Sequence, residues 1–286
     1  VGCILLGVGI LMTGAGYVAM GMSLNAFTHP RGGEVLPVTV CYPVDTVNAI
    51  EVHASIGNVT IQGSPSKTAQ EVEVKAADSV YQVYEQNGIL MVAPLNTNST
   101  TGQGGWNWFQ LFNFSPGGDW YVVIPVPEKL MSSLYVEADL GNVTVTDLKA
   151  EKMTVECDAG NVTLEEVSAS KELTVTQSMG DVTLEESVKL FSEGAELSRF
   201  CYEKLNELAL SNDMGAITAT DCDFGKSSVT NSSGDVTLVE STFEGLTTET
   251  DMGNCTLEEV AVNGSVECTA DMGNVELDRL ESLDIT

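Results

Sequence analysis

The chain has 286 residues, 43% of them hydrophobic and only 6% aromatic, and it carries a formal charge of −29. A surface this acidic repels phosphate backbones and anionic lipid headgroups, which excludes nucleic acid as a partner and favours cations or basic surfaces. The seven cysteines, at 3, 41, 157, 201, 222, 255 and 268, include no Cys-x-x-Cys, and their odd number and loose spacing support neither a zinc site nor a disulfide framework.

From Val1 to Pro30 there is no Asp, Glu, Lys or Arg, and Val1 to Phe27 is almost wholly apolar, Gly and Ala. As a helix this stretch reaches about 40 Å, enough to cross a bilayer with tilt. A cleaved signal peptide is the alternative, but its apolar core normally runs about 7–15 residues. The expectation is a retained transmembrane helix over 1–27 and a linker over 28–44. A single-pass plasma-membrane protein follows, with its main domain outside the cell. Arg31 alone points to the opposite side.

Residues 45–130 read as an N-terminal β part. Alternating apolar residues predict strands over Glu71–Ala76, Val80–Glu85, Ile89–Ala93 and Trp120–Val126. Between the last two lies Asn96–Asp119, rich in Asn, Ser, Thr and Gly, with Trp106, Trp108, Phe109, Phe112 and Phe114 in its middle. One reading is a plug that covers the open end of the domain. The other is a loop that binds a partner or a membrane interface, with these five aromatics as the candidate partner-binding residues.

The dominant feature is a repeat. The phrase Gly-Asn/Asp-Val-Thr, with small variations, begins at Gly57, Gly141, Gly160, Gly180, Gly215, Gly234, Gly253 and Gly273, and from Gly141 onward the spacings are 19, 20, 35, 19, 19 and 20. Two positions after each Gly stand Val59, Val143, Val162, Val182, Ile217, Val236, Cys255 and Val275, and apolar residues recur four after and five before it. This alternation is that of a strand with one buried face. Each copy is therefore strand, turn, strand, with Gly and its Asn or Asp neighbour at the turn. One unit cannot bury its own apolar face, whereas copies stacked about 4.8 Å apart share one core. The predicted fold is thus all-β, a solenoid of about 19–20-residue repeats over 131–286. An antiparallel meander of hairpins is the alternative. The 35-residue spacing leaves extra residues between Ser187 and Leu208, either a degraded coil or an inserted short helix, since Leu197, Cys201, Leu205 and Leu208 fall at helical spacing.

The columns also sort the chemistry. Cys222, Cys255 and Cys268 fall in apolar columns and read as small buried hydrophobes. The Asn-x-Thr sequons at Asn58, Asn142, Asn161 and Asn254 follow from the repeat itself. There is no Gly-x-Ser-x-Gly, Walker loop, His-Glu-x-x-His or EF-hand loop, and the only histidines are His29 and His53, so no enzyme is expected and no catalytic residue is named. Two acidic ladders remain. One holds Asp147, Glu166, Glu186, Asp221, Glu240 and Glu259 and ends at Arg279; the other, two before the Gly, holds Asp139, Asp158, Asp213, Asp251 and Asp271, interrupted by Ser178 and Ser232. Stacked carboxylates repel unless screened, protonated or bridged. Either the second ladder caps its turns through backbone N–H groups, or its five Asp residues bind Ca²⁺ weakly. No other cofactor is implied.

The repeated Val-x-x-x-x-Gly-Asn/Asp-Val-x-Leu phrase resembles a bacterial β-strand-repeat family of candidate adhesins, a domain of unknown function. So do the strand Trp120-Tyr-Val-Val-Ile-Pro-Val-Pro before the main repeats and the apolar N-terminal segment. The resemblance covers roughly residues 45–286. It implies a membrane-anchored or surface β-solenoid without catalytic residues, which binds a protein or cell-wall partner. The alternative it implies is an accessory sensory or scaffolding subunit of a membrane complex or cell-envelope stress system.

Overall fold

In the computed structural model each repeat is one coil, a long strand and a short strand joined by the Gly turn. The structure describes residues 37–64, 70–77, 80–94, 121–127, 130–186 and 207–285. Residues 1–35 and 101–118 lie outside the described residues. So do the expected transmembrane segment 1–27 and the five loop aromatics. Among the described residues no helix is long and apolar enough to cross a membrane.

The first seven strands are β1 (Pro37–Pro43), β2 (Ala49–Ala54), β3 (Asn58–Ser64), β4 (Glu71–Ala77), β5 (Tyr81–Gln86), β6 (Ile89–Pro94) and β7 (Tyr121–Pro127). Long and short strands then alternate. The long ones are β8 (Leu130–Leu140), β10 (Lys149–Ala159), β12 (Ser168–Met179), β14 (Glu207–Met214), β16 (Asp223–Ser233), β18 (Thr242–Met252) and β20 (Ala261–Met272). The short ones are β9 (Val143–Thr146), β11 (Val162–Glu165), β13 (Val182–Glu185), β15 (Ile217–Thr220), β17 (Val236–Val239), β19 (Cys255–Glu258) and β21 (Val275–Asp278), and β22 (Glu281–Ile285) follows.

The strands form two sheets of eleven. One runs β1-β4-β7-β3-β9-β11-β13-β15-β17-β19-β21, the other β22-β20-β18-β16-β14-β12-β10-β8-β2-β6-β5. The repeat strands pair in parallel, so Val143, Val162, Val182, Ile217, Val236, Cys255 and Val275 form one stacked column. Parallel pairing decides for the solenoid, because a meander of hairpins would pair its strands antiparallel. The inner faces of the two sheets meet in a core of Val, Leu, Ile and Ala. Burying each Val, Leu or Ile side chain contributes about 1.5–3 kcal/mol.

Three features differ from the sequence reading. First, spatial order departs from chain order: β6 and β7 pair outside β2 and β3, while β8 and β9 pair on their other side, so the first copy in sequence is an interior coil. Second, the expected linker 28–44 includes strand β1, Pro37–Pro43, which pairs antiparallel with β4. Together β1 and β4 close one sheet and β5, antiparallel to β6, closes the other. The aromatic loop expected either to cover this end or to bind a partner lies outside the described residues. Third, where the sequence left a degraded coil or an insertion open, β12 pairs directly with β14 and β13 with β15, so among the described residues no coil is stacked between them, which favours the insertion. Leu208 belongs to β14, opposite Leu173 in the core, and not to a helix. Leu197, Cys201 and Leu205 lie outside the described residues.

Candidate functional site

Each coil turns two corners, and the stacked corners form two rims that carry nearly all the distinctive side chains. At the first rim the repeat glycines from Gly57 to Gly253 take φ between 111° and 150°, which L residues rarely adopt. A Cβ there would also overlap the carbonyl of the glycine one coil earlier, as on Gly160 against Gly141. The residue after the glycine ties coil to coil. Asn58 Oδ1 accepts the N–H of Asn142 (2.9 Å), Asn142 that of Asn161 (2.8 Å), Asn161 that of Asp181 (3.1 Å) and Asp181 that of Ala216 (2.9 Å). Asp235 and Asn254 continue the ladder to Asn254 and Asn274. Ala216 has no side-chain acceptor and interrupts it. Backbone N–H groups of the turn are thus capped by the Asn or Asp after the Gly. That corrects the expectation that the Asp two before it is the cap; the sequence shows Asx at both places and only the direction of the side chain separates them.

Under this rim, three before the Gly, lies a buried polar column. Asn212 Nδ2 donates to Gly180 O (3.0 Å), Asn231 Nδ2 to Gly215 O (2.9 Å), and Gln177 Nε2 to Gly160 O. Outside it stand two exposed rows. The first is the Asp row, Asp139, Asp158, Asp213, Asp251 and Asp271. The second, immediately before the Gly, is apolar: Leu140, Met179, Met214, Met252 and Met272 are 47–65% exposed. Sequence reasoning passed over this row, because period-two alternation places the position before the Gly on the buried face.

The second rim holds the other acidic ladder. Asp147, Glu166, Glu186, Asp221, Glu240, Glu259 and Arg279 all sit in the left-handed region, with φ between 46° and 54°. Their N–H groups donate across to the next coil, for example Asp147 to Glu165 O and Glu166 to Glu185 O, both at 3.1 Å, which holds the conformation. Glu is an unusual choice for this region, so the conformation was not legible in the letters. Glu166 is pushed above the usual carboxyl range, first by the hydrogen bond it shares with Asp147 and then by that neighbour's charge. At the far end Arg279 reaches Glu258 (3.0 Å), Asp278 (3.4 Å) and Glu259. Among the described residues no group of three or more His, Cys, Asp or Glu is placed to hold a metal ion, and neither ladder forms such a cage.

Two smaller clusters complete the survey. His53 Nδ1 lies 2.6 Å from Glu137 Oε2, and its ring is 5.5 Å from that of Tyr135, whose hydroxyl donates to Glu156 (3.1 Å). Desolvation first, and Glu156 second, push Tyr135 up to about 12, so its phenol stays protonated and inert. Cys222 and Cys255 are buried as expected, and Cys268 is partly so. Cys255 and Cys268 share a thiol hydrogen bond that pushes Cys255 up and draws Cys268 down, while Thr248 Oγ1 lies 3.2 Å from Cys255 Sγ.

Residues 47–286 match the family model described as Toastrack DUF4097. The chain belongs to the Toastrack family. This bears out the family reading made from the repeated phrase. Among curated proteins, the chain is 51% identical over 37 residues to the exodeoxyribonuclease 7 small subunit of Bdellovibrio bacteriovorus, covering 13% of this chain and 50% of that protein. It is 54% identical over 39 residues to the same subunit of Carboxydothermus hydrogenoformans, covering 14% and 51%. The chain thus spans about half the length of the curated relatives it matches. Among solved structures, a candidate cell adhesion protein of Clostridium sporogenes is 9% identical with a TM-score of 0.37, covering 87% of this chain and all of that one. A candidate adhesin of Bacteroides fragilis is 13% identical with a TM-score of 0.38, covering 89% and 98%. A candidate lipid-binding protein of Parabacteroides distasonis is 12% identical with a TM-score of 0.37, covering 88% and 98%. At such scores none of these bears on what this Toastrack chain binds.

Proposed function

We propose that this chain is a non-enzymatic envelope protein, anchored through residues 1–27, whose acidic solenoid is displayed outside the cell to a protein or wall-polymer partner. The observation that supports this most is the repetition of surface chemistry. Most repeats place the same kind of side chain at the same exposed rim position, which suits a long binding surface, whereas a catalytic site gathers unlike groups at one point. Protease treatment of intact cells tests it. Cleavage within 45–286 on intact cells is expected; protection until lysis would overturn the display.

A second reading, an accessory sensory or scaffolding subunit, is favoured by the charge-free stretch from Val1 to Pro30, which suits contacts with other membrane segments. A stoichiometric membrane partner retained through purification in detergent would decide for it.

A further inference from the structure

Among the described residues nine large hydrophobic side chains are exposed, and five of them, Leu140, Met179, Met214, Met252 and Met272, occupy one position of the repeat. The other four lie at the two ends of the sheets. The fold does not require this row, since Ala159 and Ser233 fill the same position in two coils. It runs beside the glycine column, which carries no side chains, so nothing on that flank covers it. The exposed Asp row borders it on the other side.

We propose that the methionine row, between the glycine column and the Asp row, forms a docking strip for a basic amphipathic helix of a partner protein. The strip deepens the binding role proposed above and rests on it. Three properties select this occupant. From Leu140 to Met272 there are six coil steps, about 29 Å at about 4.8 Å each, the length of a helix of about 19 residues. Met179 and Met214 are neighbours in adjacent coils, as are Met252 and Met272. The two pairs are centred three coils apart, about 14 Å, within about 2 Å of the rise of three helical turns (about 16 Å), a gap that flexible thioethers span, so two apolar anchors on one helix face meet both. Charge complementarity supplies the third property: Lys or Arg beside the apolar stripe would face the Asp row. A second copy would bring Asp rows together, and an anionic bilayer would be repelled by them. Flexible thioethers adapt to varied apolar partners, as such a strip requires.

The test uses the full chain and a synthetic 19-residue peptide with Leu at heptad positions a and d and Lys flanking them. Its controls are a sequence-scrambled isomer and vesicles of zwitterionic and anionic lipid. Fluorescence anisotropy at physiological salt should show binding of the amphipathic peptide and at least about tenfold weaker binding of the isomer. Replacing the four methionines together, Met179→Gln, Met214→Gln, Met252→Gln and Met272→Gln, should weaken binding about tenfold or more. Replacing Glu166, Glu186, Glu240 and Glu259 by Gln on the opposite rim should change it less than about twofold. Equal binding of the isomer, or of the methionine variant, overturns the proposal, because bulk charge alone would explain it. Vesicle binding, or self-association in sedimentation, that the methionine variant abolishes also overturns it, in favour of lipid or a second copy. Failure with the peptide leaves the cell-surface result untouched, and a solenoid protected on intact cells leaves the peptide result untouched, so the two readings fail separately.

Discussion

The two rims solve one geometric problem in different ways. At the glycine rim the backbone takes φ of 111–150° with the preceding coil's carbonyl against it, so no side chain fits. At the acidic rim φ is 46–54°, a region that costs an L residue about 1–2 kcal/mol but leaves its side chain free in solvent. One corner is therefore dictated by sterics and the other is open to chemistry. That is why Asp, Glu and Arg all occur at the second corner, whereas every repeat from Gly57 to Gly273 keeps Gly at the first.

The largest expected effect breaks this asymmetry directly. Gly160→Ala should destabilise the chain by about 3 kcal/mol or more, through combined backbone strain and overlap with Gly141, or prevent folding. Glu166→Gly, at the other corner, should stay within about 1 kcal/mol of the parent. Urea unfolding followed by circular dichroism gives both values, and similar costs would mean that the two corners are equally constrained.

A smaller effect concerns the ladder beside the glycines. Asn161→Ala removes the acceptor for the Asp181 N–H and should cost about 1 kcal/mol. Ala216→Asn should gain about 0.5–1 kcal/mol by restoring the missing rung to Asp235. No change in either variant would show that the sheets alone hold the rim.

Smaller again is the response to pH. Glu166 and Asp139 are both raised, the first by its hydrogen bond to Asp147, the second by desolvation and then by Asp158 and Glu137. A carboxyl raised on folding binds protons more readily in the native state than in the unfolded one. Stability therefore falls as pH rises through the interval between the unfolded and folded values, and is regained on acidification through it. The melting midpoint should climb modestly when the pH is lowered from 7 into the upper carboxyl range, and Glu166→Gln should flatten that climb. A midpoint that falls over the same interval would contradict the shared proton.

The smallest effect expected is with calcium. At matched ionic strength, replacing EDTA by millimolar Ca²⁺ should leave the midpoint where Na⁺ leaves it, because no cage of three ligands is present among the described residues. A rise specific to Ca²⁺ would support the reading of the Asp row as a metal ladder.

Much of the fold was legible because every coil writes the same pattern. The strands expected at Glu71–Ala76, Val80–Glu85, Ile89–Ala93 and Trp120–Val126 are found at Glu71–Ala77, Tyr81–Gln86, Ile89–Pro94 and Tyr121–Pro127. Alternation fixes where strands lie and which face is buried. It does not fix the neighbour, and β6 with β7 presents the same apolar face whichever side of β2 and β3 it stacks on, so the inverted coil order went unread. The Asx ladder and the methionine row failed for another reason. Both depend on the direction of a side chain at a corner, where period-two alternation ends. Of the named site residues, the Asp row is exposed along the glycine rim, while Trp106, Trp108, Phe109, Phe112 and Phe114 lie outside the described residues.

The interior placement of β2 and β3 gives the solenoid unequal mechanical ends. Tension applied beyond β22 loads one parallel coil at a time, and coils can peel away in sequence as a roll unwinds. Tension applied before β1 meets strands laid antiparallel across the sheet edges, and behind them a coil gripped on both faces. Pulled from its first residues, the domain should hold as a unit, and pulled from its last it should lengthen in steps of one coil.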